Sequence, residues 1–217
     1  EDRRPQPILE PDWNKGTREI YAAMLRRLDD GVGRVLQALD RRGLREQALV
    51  IFMSDNGGTA LADSGPYTRT KGTLYEGGLR VPCLVRWPGR LPAGQVTAQT
   101  AITMDFTRSL LRLAGASAAP ARRLDGLDIL GHITDRKPEE PRLLFWRYRR
   151  GETTWRSVLD GDLKLIHHQD GAALKRELYD LATDPAEKHD LLAQRSADAG
   201  RLEAKLQAWQ EDVRPAR

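Results

Sequence analysis

Six consecutive apolar residues, Ala48-Leu49-Val50-Ile51-Phe52-Met53, run straight into the polar, glycine-rich stretch Ser54-Asp55-Asn56-Gly57-Gly58. An apolar run of this length without alternation suits a strand covered on both faces, as in a parallel sheet flanked by helices. Upstream, Tyr21, Met24, Leu25, Leu28, Val32, Val35, Leu36 and Leu39 recur at three- and four-residue intervals. That spacing predicts an amphipathic helix over about residues 17–42, closed by Gly43. Gly31 and Gly33 cost the helix roughly 1 kcal/mol each relative to alanine, so they are expected where another element approaches closely. Helix, buried strand and polar loop together make an α/β arrangement, in which ligand sites gather at the carboxyl ends of the strands.

The segment before Asn14, with Pro5, Pro7 and Pro11, carries no periodicity and reads as an irregular lead-in. A second apolar strand is expected from Val81 to Trp87, ending at Pro88-Gly89, and a short helix from about Asp105 to Leu113. Beyond about Pro120 the texture changes to short strand candidates at Leu143–Tyr148, Thr153–Leu159, Leu163–His168 and Glu177–Tyr179. Asp160-Gly161 between two of them is a hairpin signal. A final helix over about 197–213 would present Leu202, Leu206, Trp209 and Val213 on one face. The expected fold class is therefore α/β. Residues 1–139 would form part of a helix-flanked, mainly parallel sheet, and residues 140–217 a small antiparallel sheet covered by a helix.

The basic residues are 28 Arg and 7 Lys against 31 acids, for a net charge of +4. They are interleaved with the acids along the chain, as in Arg26-Arg27-Leu28-Asp29-Asp30, which argues against nucleic acid as a partner. No apolar run approaches the roughly 20 residues that span a bilayer, so no membrane partner is expected. The chain begins at Glu1 rather than Met, which suggests the later part of a longer product; the compartment stays open, with a soluble protein of the bacterial cytoplasm or periplasm as the expectation. The single cysteine, Cys83, excludes an intrachain disulfide and any multi-cysteine metal site. Within Val81-Pro82-Cys83-Leu84-Val85 it reads as a small buried hydrophobe.

Two stretches can carry chemistry. Asp55 and Asn56 offer a carboxylate and an amide carbonyl side by side, both hard oxygen donors suited to calcium or magnesium. The same residues could form an Asn-Gly hairpin turn, although Thr59–Thr70 supplies no returning strand; spacing alone leaves both readings open. Lys71, in Lys71-Gly72-Thr73-Leu74-Tyr75-Glu76-Gly77-Gly78-Leu79-Arg80-Val81-Pro82, could present a point charge to a tetrahedral anion or be an ordinary surface lysine. It does not belong to a phosphate-binding P-loop, whose glycine spacing and following Ser/Thr are absent.

Taken in order, these stretches resemble the sulfatase family of the alkaline-phosphatase-like superfamily. The resemblance covers Ser54-Asp55-Asn56-Gly57, Lys71-Gly72, Glu76-Gly77-Gly78-Leu79-Arg80-Val81-Pro82, Trp87-Pro88-Gly89 and Asp125-Gly126-Leu127-Asp128. It ends with Leu178-Tyr179-Asp180-Leu181, Asp184-Pro185 and Glu187. It implies that Asp55 and Asn56 are two ligands of a calcium ion and that Lys71 touches the sulfate of a sulfate ester. Glu76, Gly77, Gly78 and Arg80 would support the loop. The family's formylglycine arises from a Cys/Ser-x-Pro/Ala-x-Arg sequence near the enzyme's start, and Cys83-Leu84-Val85-Arg86 does not match it. The nucleophile and the remaining calcium ligands are therefore expected in a missing N-terminal half, and this chain alone is expected to be inactive. Asp29-Asp30, inside the first helix, reads as surface acids. His132 and His189 are expected in loops and His167-His168 at a strand end, none of them ligands. Two other readings stand beside this one: a phosphonate monoester or phosphodiester hydrolase of the same superfamily, or a non-catalytic fragment that packs or dimerises.

Overall fold

The computed structural model describes residues 16–116 and 124–213. Helix α1 (Arg18–Arg41) begins where the Thr17 hydroxyl accepts a hydrogen bond from the Ile20 amide at 3.4 Å. It ends in a left-handed Gly43, with Leu44 N donating to Leu39 O at 3.0 Å and Gly43 N to Asp40 O at 3.1 Å. The helix thus falls where periodicity placed it. Its apolar stripe, however, lies open: Ile20, Met24, Leu25, Leu28 and Val35 are all exposed, and no residue of α1 is buried. A Cβ added at Gly33 would meet nothing within 4 Å. The close approach expected at the two glycines is not made by any described part of this chain.

Strand β1 (Val50–Met53) pairs with β2 (Cys83–Arg86), Val50 opposite Arg86 and Met53 opposite Cys83. The α/β class holds, but this pairing is antiparallel rather than the parallel one expected from an unbroken apolar run. Nor is the β1–β2 pair covered on both sides, since Phe52, Leu84 and Cys83 are exposed. An apolar sequence reports that a strand is to be buried, not that the burying surface belongs to the same segment; Cys83 is accordingly exposed rather than the buried hydrophobe its neighbours predict.

The rest of the fold is built on a four-stranded antiparallel meander, β3 (Leu143–Arg150), β4 (Thr153–Asp160), β5 (Leu163–Asp170) and β6 (Ala173–Asp180). Each hairpin turns through two residues, and the first is a glycine with positive φ: Gly151 at 58°, Gly161 at 63° and Gly171 at 54°. A two-residue loop demands that conformation at its first position. Alternation then gives the sheet two apolar faces. One, carrying Val158, Leu165 and Leu178, is covered by Leu202 and Leu206 of helix α5 (Ser196–Asp212), with Phe145 and Trp209 stacked at 5.1 Å. The other carries Leu144, Trp155, Leu159, Ile166 and Tyr179, and receives Leu74 and Tyr75 from the segment before β2.

Helix α3 (Thr103–Leu113) leaves Leu110 and Leu113 exposed and buries Asp105 and Ser109 instead. Asp105 is the junction. Its carboxylate accepts from the backbone of Ile102 and of Leu127, each at 2.7 Å, and takes both arms of the Arg142 guanidinium at 2.9 Å. One fully buried side chain thereby caps α3, fixes the Asp125-Gly126-Leu127 turn and anchors the chain entering β3. Ser109 accepts from Leu130 N at 3.1 Å, seating helix α4 (Ile129–Thr134), which sequence periodicity missed because it is only six residues long. His132 lies in this helix, buried rather than in a loop.

Asp105→Ala would leave the nearly buried Arg142 unpaired and two backbone amides without acceptors. We expect a loss of about 3–5 kcal/mol, read as a lower urea midpoint at unchanged slope.

Candidate active site

Antiparallel pairing of β1 with β2 brings the chain leaving Met53 and the chain arriving at Cys83 to the same end of the ladder. Two backbone bonds then stitch the sequence-predicted stretches together. Gly57 N donates to Gly78 O and Lys71 N donates to Gly58 O, both at 2.9 Å. The approach is so close that only glycine fits. A Cβ on Gly57 would stand 2.0 Å from the carbonyl of Gly77, and one on Gly78 would stand 2.4 Å from that of Thr73. The short helix α2 (Glu76–Leu79) is thus pressed directly under the Asp55-Asn56 loop.

Ser54 Oγ donates to Asn56 O at 2.8 Å and closes that loop on itself. The next strand, β2, begins only at Cys83, so a two-residue hairpin turn at Asn56-Gly57 is excluded. Asp55 and Lys71 are exposed and Asn56 is half-buried, so none of the three residues is sealed into the fold. Asp29 and Asp30 lie exposed on α1, as expected of surface acids.

The donor chemistry fits a hard cation but does not complete its shell. Calcium takes 6–8 oxygens, and no group of three or more His, Cys, Asp or Glu converges anywhere among the described residues. Asp55 and Asn56 would contribute a charged and a neutral oxygen to a site finished by other residues.

Beneath the loop, α2 is bolted to the β3–β6 sheet by charge. Lys164, fully buried on β5, donates to Glu76 Oε1 at 2.7 Å and to Glu187 Oε1 at 2.9 Å. Glu187 Oε2 accepts from the Glu76 backbone amide at 2.6 Å, and Arg80 Nε donates to Glu76 Oε2 at 2.7 Å. Burial pushes the Glu76 carboxyl up, but Lys164 and Arg80 outweigh it and hold it below the usual range. Burial wins at Glu187, whose carboxyl is raised despite the same lysine. Glu187 also holds a left-handed φ of 52°, rare for such a residue.

A second buried acid, Glu177, accepts from the hydroxyls of Tyr75 and Tyr179 and from Lys175. Tyr75 also meets Trp155 edge-on at 5.8 Å. Glu76 and Arg80 therefore act as supports of the loop, as expected, but Lys164, Glu177 and Tyr75 were missed. The one trace in the sequence is Lys164 itself, a charged residue inside the run Leu163-Lys164-Leu165-Ile166.

Comparison with known proteins decides the family. The pattern described as Sulfatase matches residues 6–116, and that described as N-sulphoglucosamine sulphohydrolase, C-terminal, matches residues 68–214. The chain belongs to the sulfatase family. A sulfatase of Formosa agariphila is 32% identical over 223 residues, which cover 89% of this chain and 40% of that protein. The crystal structure of Ps i-CgsB in complex with k-i-k-neocarrahexaose superposes with a TM-score of 0.81 at 28% identity, covering 91% of this chain and 44% of the other. The phosphonate monoester hydrolase of Agrobacterium radiobacter gives 0.68 at 27% identity, covering 89% and 40%. This sulfatase chain spans only 24% to 40% of the length of the curated relatives it matches. None of its described helices is long and apolar enough to cross a membrane.

Lys164→Met would leave Glu76 and Glu187 buried without their shared cation, raising both carboxyls above their unfolded values. Groups so raised bind protons more tightly when folded, so stability falls as pH rises through them. The variant should lose about 3–5 kcal/mol at pH 7, and urea unfolding should show a smaller deficit under acidic conditions.

Proposed function

We propose that the protein to which this chain contributes hydrolyses sulfuric esters, with Asp55 and Asn56 as calcium ligands and Lys71 as a contact to the sulfate. The observation that supports this most directly is the Lys71 N–Gly58 O bond, which fastens the lysine's backbone to the loop of hard oxygen donors in a chain of the sulfatase family. Bound calcium would supply Lewis-acid stabilisation of charge developing on the sulfate oxygens. Asp55 adds the negative charge that retains a cation, and Asn56 adds an oxygen that does not repel an incoming anion. Lys71 offers a mobile point charge to the sulfate and to the oxygen of the leaving alcohol.

The nucleophile, expected as a formylglycine, and the remaining ligands belong to a preceding half of the protein. The open stripe of α1 and the exposed faces of β1 and β2 are the surface we assign to that half. The chain by itself is accordingly inactive in this reading. A phosphonate monoester or phosphodiester hydrolase stands as the second reading, because the Agrobacterium radiobacter enzyme shares this half of the fold. Hydrolysis of sulfate and phosphonate esters with the same leaving group separates the two.

In the full-length protein, Lys71→Ala and Asp55→Ala should each lower kcat/KM for an aryl sulfate by about two to three orders of magnitude, with thermal stability unchanged. Near-normal rates would remove these roles. The 217-residue chain should show no turnover of the same ester, and measurable hydrolysis by it would overturn the placement of the nucleophile elsewhere.

A further inference from the structure

Strand pairing lines up one residue from each strand of the β3–β6 sheet: Arg147 stands opposite Arg156, Arg156 opposite His167, and His167 opposite Arg176. All four share the face that α5 covers, one alternation beyond the apolar row Phe145, Val158, Leu165 and Leu178. They are on the opposite side of the sheet from Trp155 and Tyr179, where Tyr75 docks. Both ends of the row, Arg147 and Arg176, are exposed, as is Arg149 one alternation further along β3.

Like charges directly opposite one another destabilise a sheet, and ordinary surfaces alternate their signs to avoid it. Here one acid reaches the row: Glu203 of α5 places Oε2 2.8 Å from His167 Nε2, off the direction of a proper hydrogen bond. Among the described residues, Arg147, Arg156 and Arg176 form no ion pair. Arg156 donates to Gln169 at 3.3 Å, and its buried Nε finds no acceptor. Burial, and then the charge of Arg147, hold the Arg156 guanidinium below the ordinary arginine range. Burial also lowers His167, and Arg176 and Arg156 add to that against the pull of Glu203. Among the described residues Arg147 and Arg176 thus stand without an acidic partner, while Glu203 offsets the His167 and Arg156 positions between them.

We propose that this row is a docking site for a linear sulfated polymer, separate from the reacting centre on the other side of the sheet. Three interstrand gaps of roughly 4.8 Å make it about 14 Å long. His167 is buried within it, so the exposed arginines stand at its two ends with the half-buried Arg156 between them; that spread suits a chain presenting anions at intervals, whereas a single small anion would engage one end. Guanidinium groups meet tetrahedral oxyanions through paired N–H donors, which the exposed Arg147 and Arg176 can present. The choice of sulfate esters over phosphates rests on the sulfatase reading; the binding of a polyanion does not.

Binding of dextran sulfate and of unsulfated dextran, followed as salt is varied, tests the assignment without measuring turnover. A failure of the hydrolase reading therefore leaves the result intact. Arg147→Gln/Arg176→Gln changes two exposed side chains and should preserve the circular dichroism spectrum. It should weaken dextran sulfate binding about ten-fold and lower the slope of log K against log salt by about two, one for each arginine. Arg150→Gln/Lys188→Gln removes equal charge outside the row, with Arg150 on the opposite face, and should leave affinity and slope near those of the parent. Equal losses in the two double variants, or none in the first, would overturn the proposal. So would tighter binding of a single-stranded nucleic acid, which would assign the row to phosphates instead.

Discussion

The ammonium of Lys164 carries more of this structure than any apolar contact does. It is buried near the start of β5 and holds two acids that are 111 residues apart, Glu76 and Glu187. Replacing such a buried cluster with apolar side chains is often neutral or even stabilising, so its contribution here is direction rather than strength. A leucine would press α2 against the sheet in many rotations. Lys164, Glu187 and the Glu76 amide together accept only the one that turns the carbonyl of Gly78 toward Gly57. The orientation of the Asp55-Asn56 loop is in this way set from a sheet that carries none of the chemistry assigned to the site.

The glycines make that control possible. With backbones meeting at distances where no Cβ fits, Gly57, Gly77 and Gly78 transmit the position of α2 to the loop with no side chain to absorb a shift. Packed interiors transmit displacement because they lack compliant space. The exposed groups at the top are therefore free at their tips but fixed at their backbones. Such an arrangement suits a site that must hold oxygens near a cation while leaving them accessible to residues from elsewhere.

Much of this was legible in the sequence where periodicity and local chemistry suffice. The first helix, the hairpins with their glycines and the terminal helix follow from spacing and turn residues, whereas the pairing of Asp55-Asn56 with the Lys71 segment is implied only by the family resemblance. Burial was not legible. Cys83, Phe52 and the stripe of α1 are apolar and exposed, because the sequence records what a surface is for and not which part of the protein supplies its cover. Lys164 was hidden for the converse reason: its partners lie 88 and 23 residues away, and no local rule links them. The arginine row escaped notice similarly. Along the chain those residues are diluted by acids and turns, and only the register of four strands sets them side by side.

Those facts bear on how the fold is divided. The β3–β6 sheet is covered on both faces by residues of this chain, with α5 on one and Leu74 and Tyr75 on the other. The β1–β2 pair and α1 have no such cover among the described residues. Yet the segment joining β1 to β2 is the one whose Leu74, Tyr75 and Glu76 are sealed into the finished sheet. Order in the site segment must therefore come from its C-terminal side. Its apolar outer surface remains available to whatever completes the site, so a completing half would meet a loop already held in place rather than one it must fold.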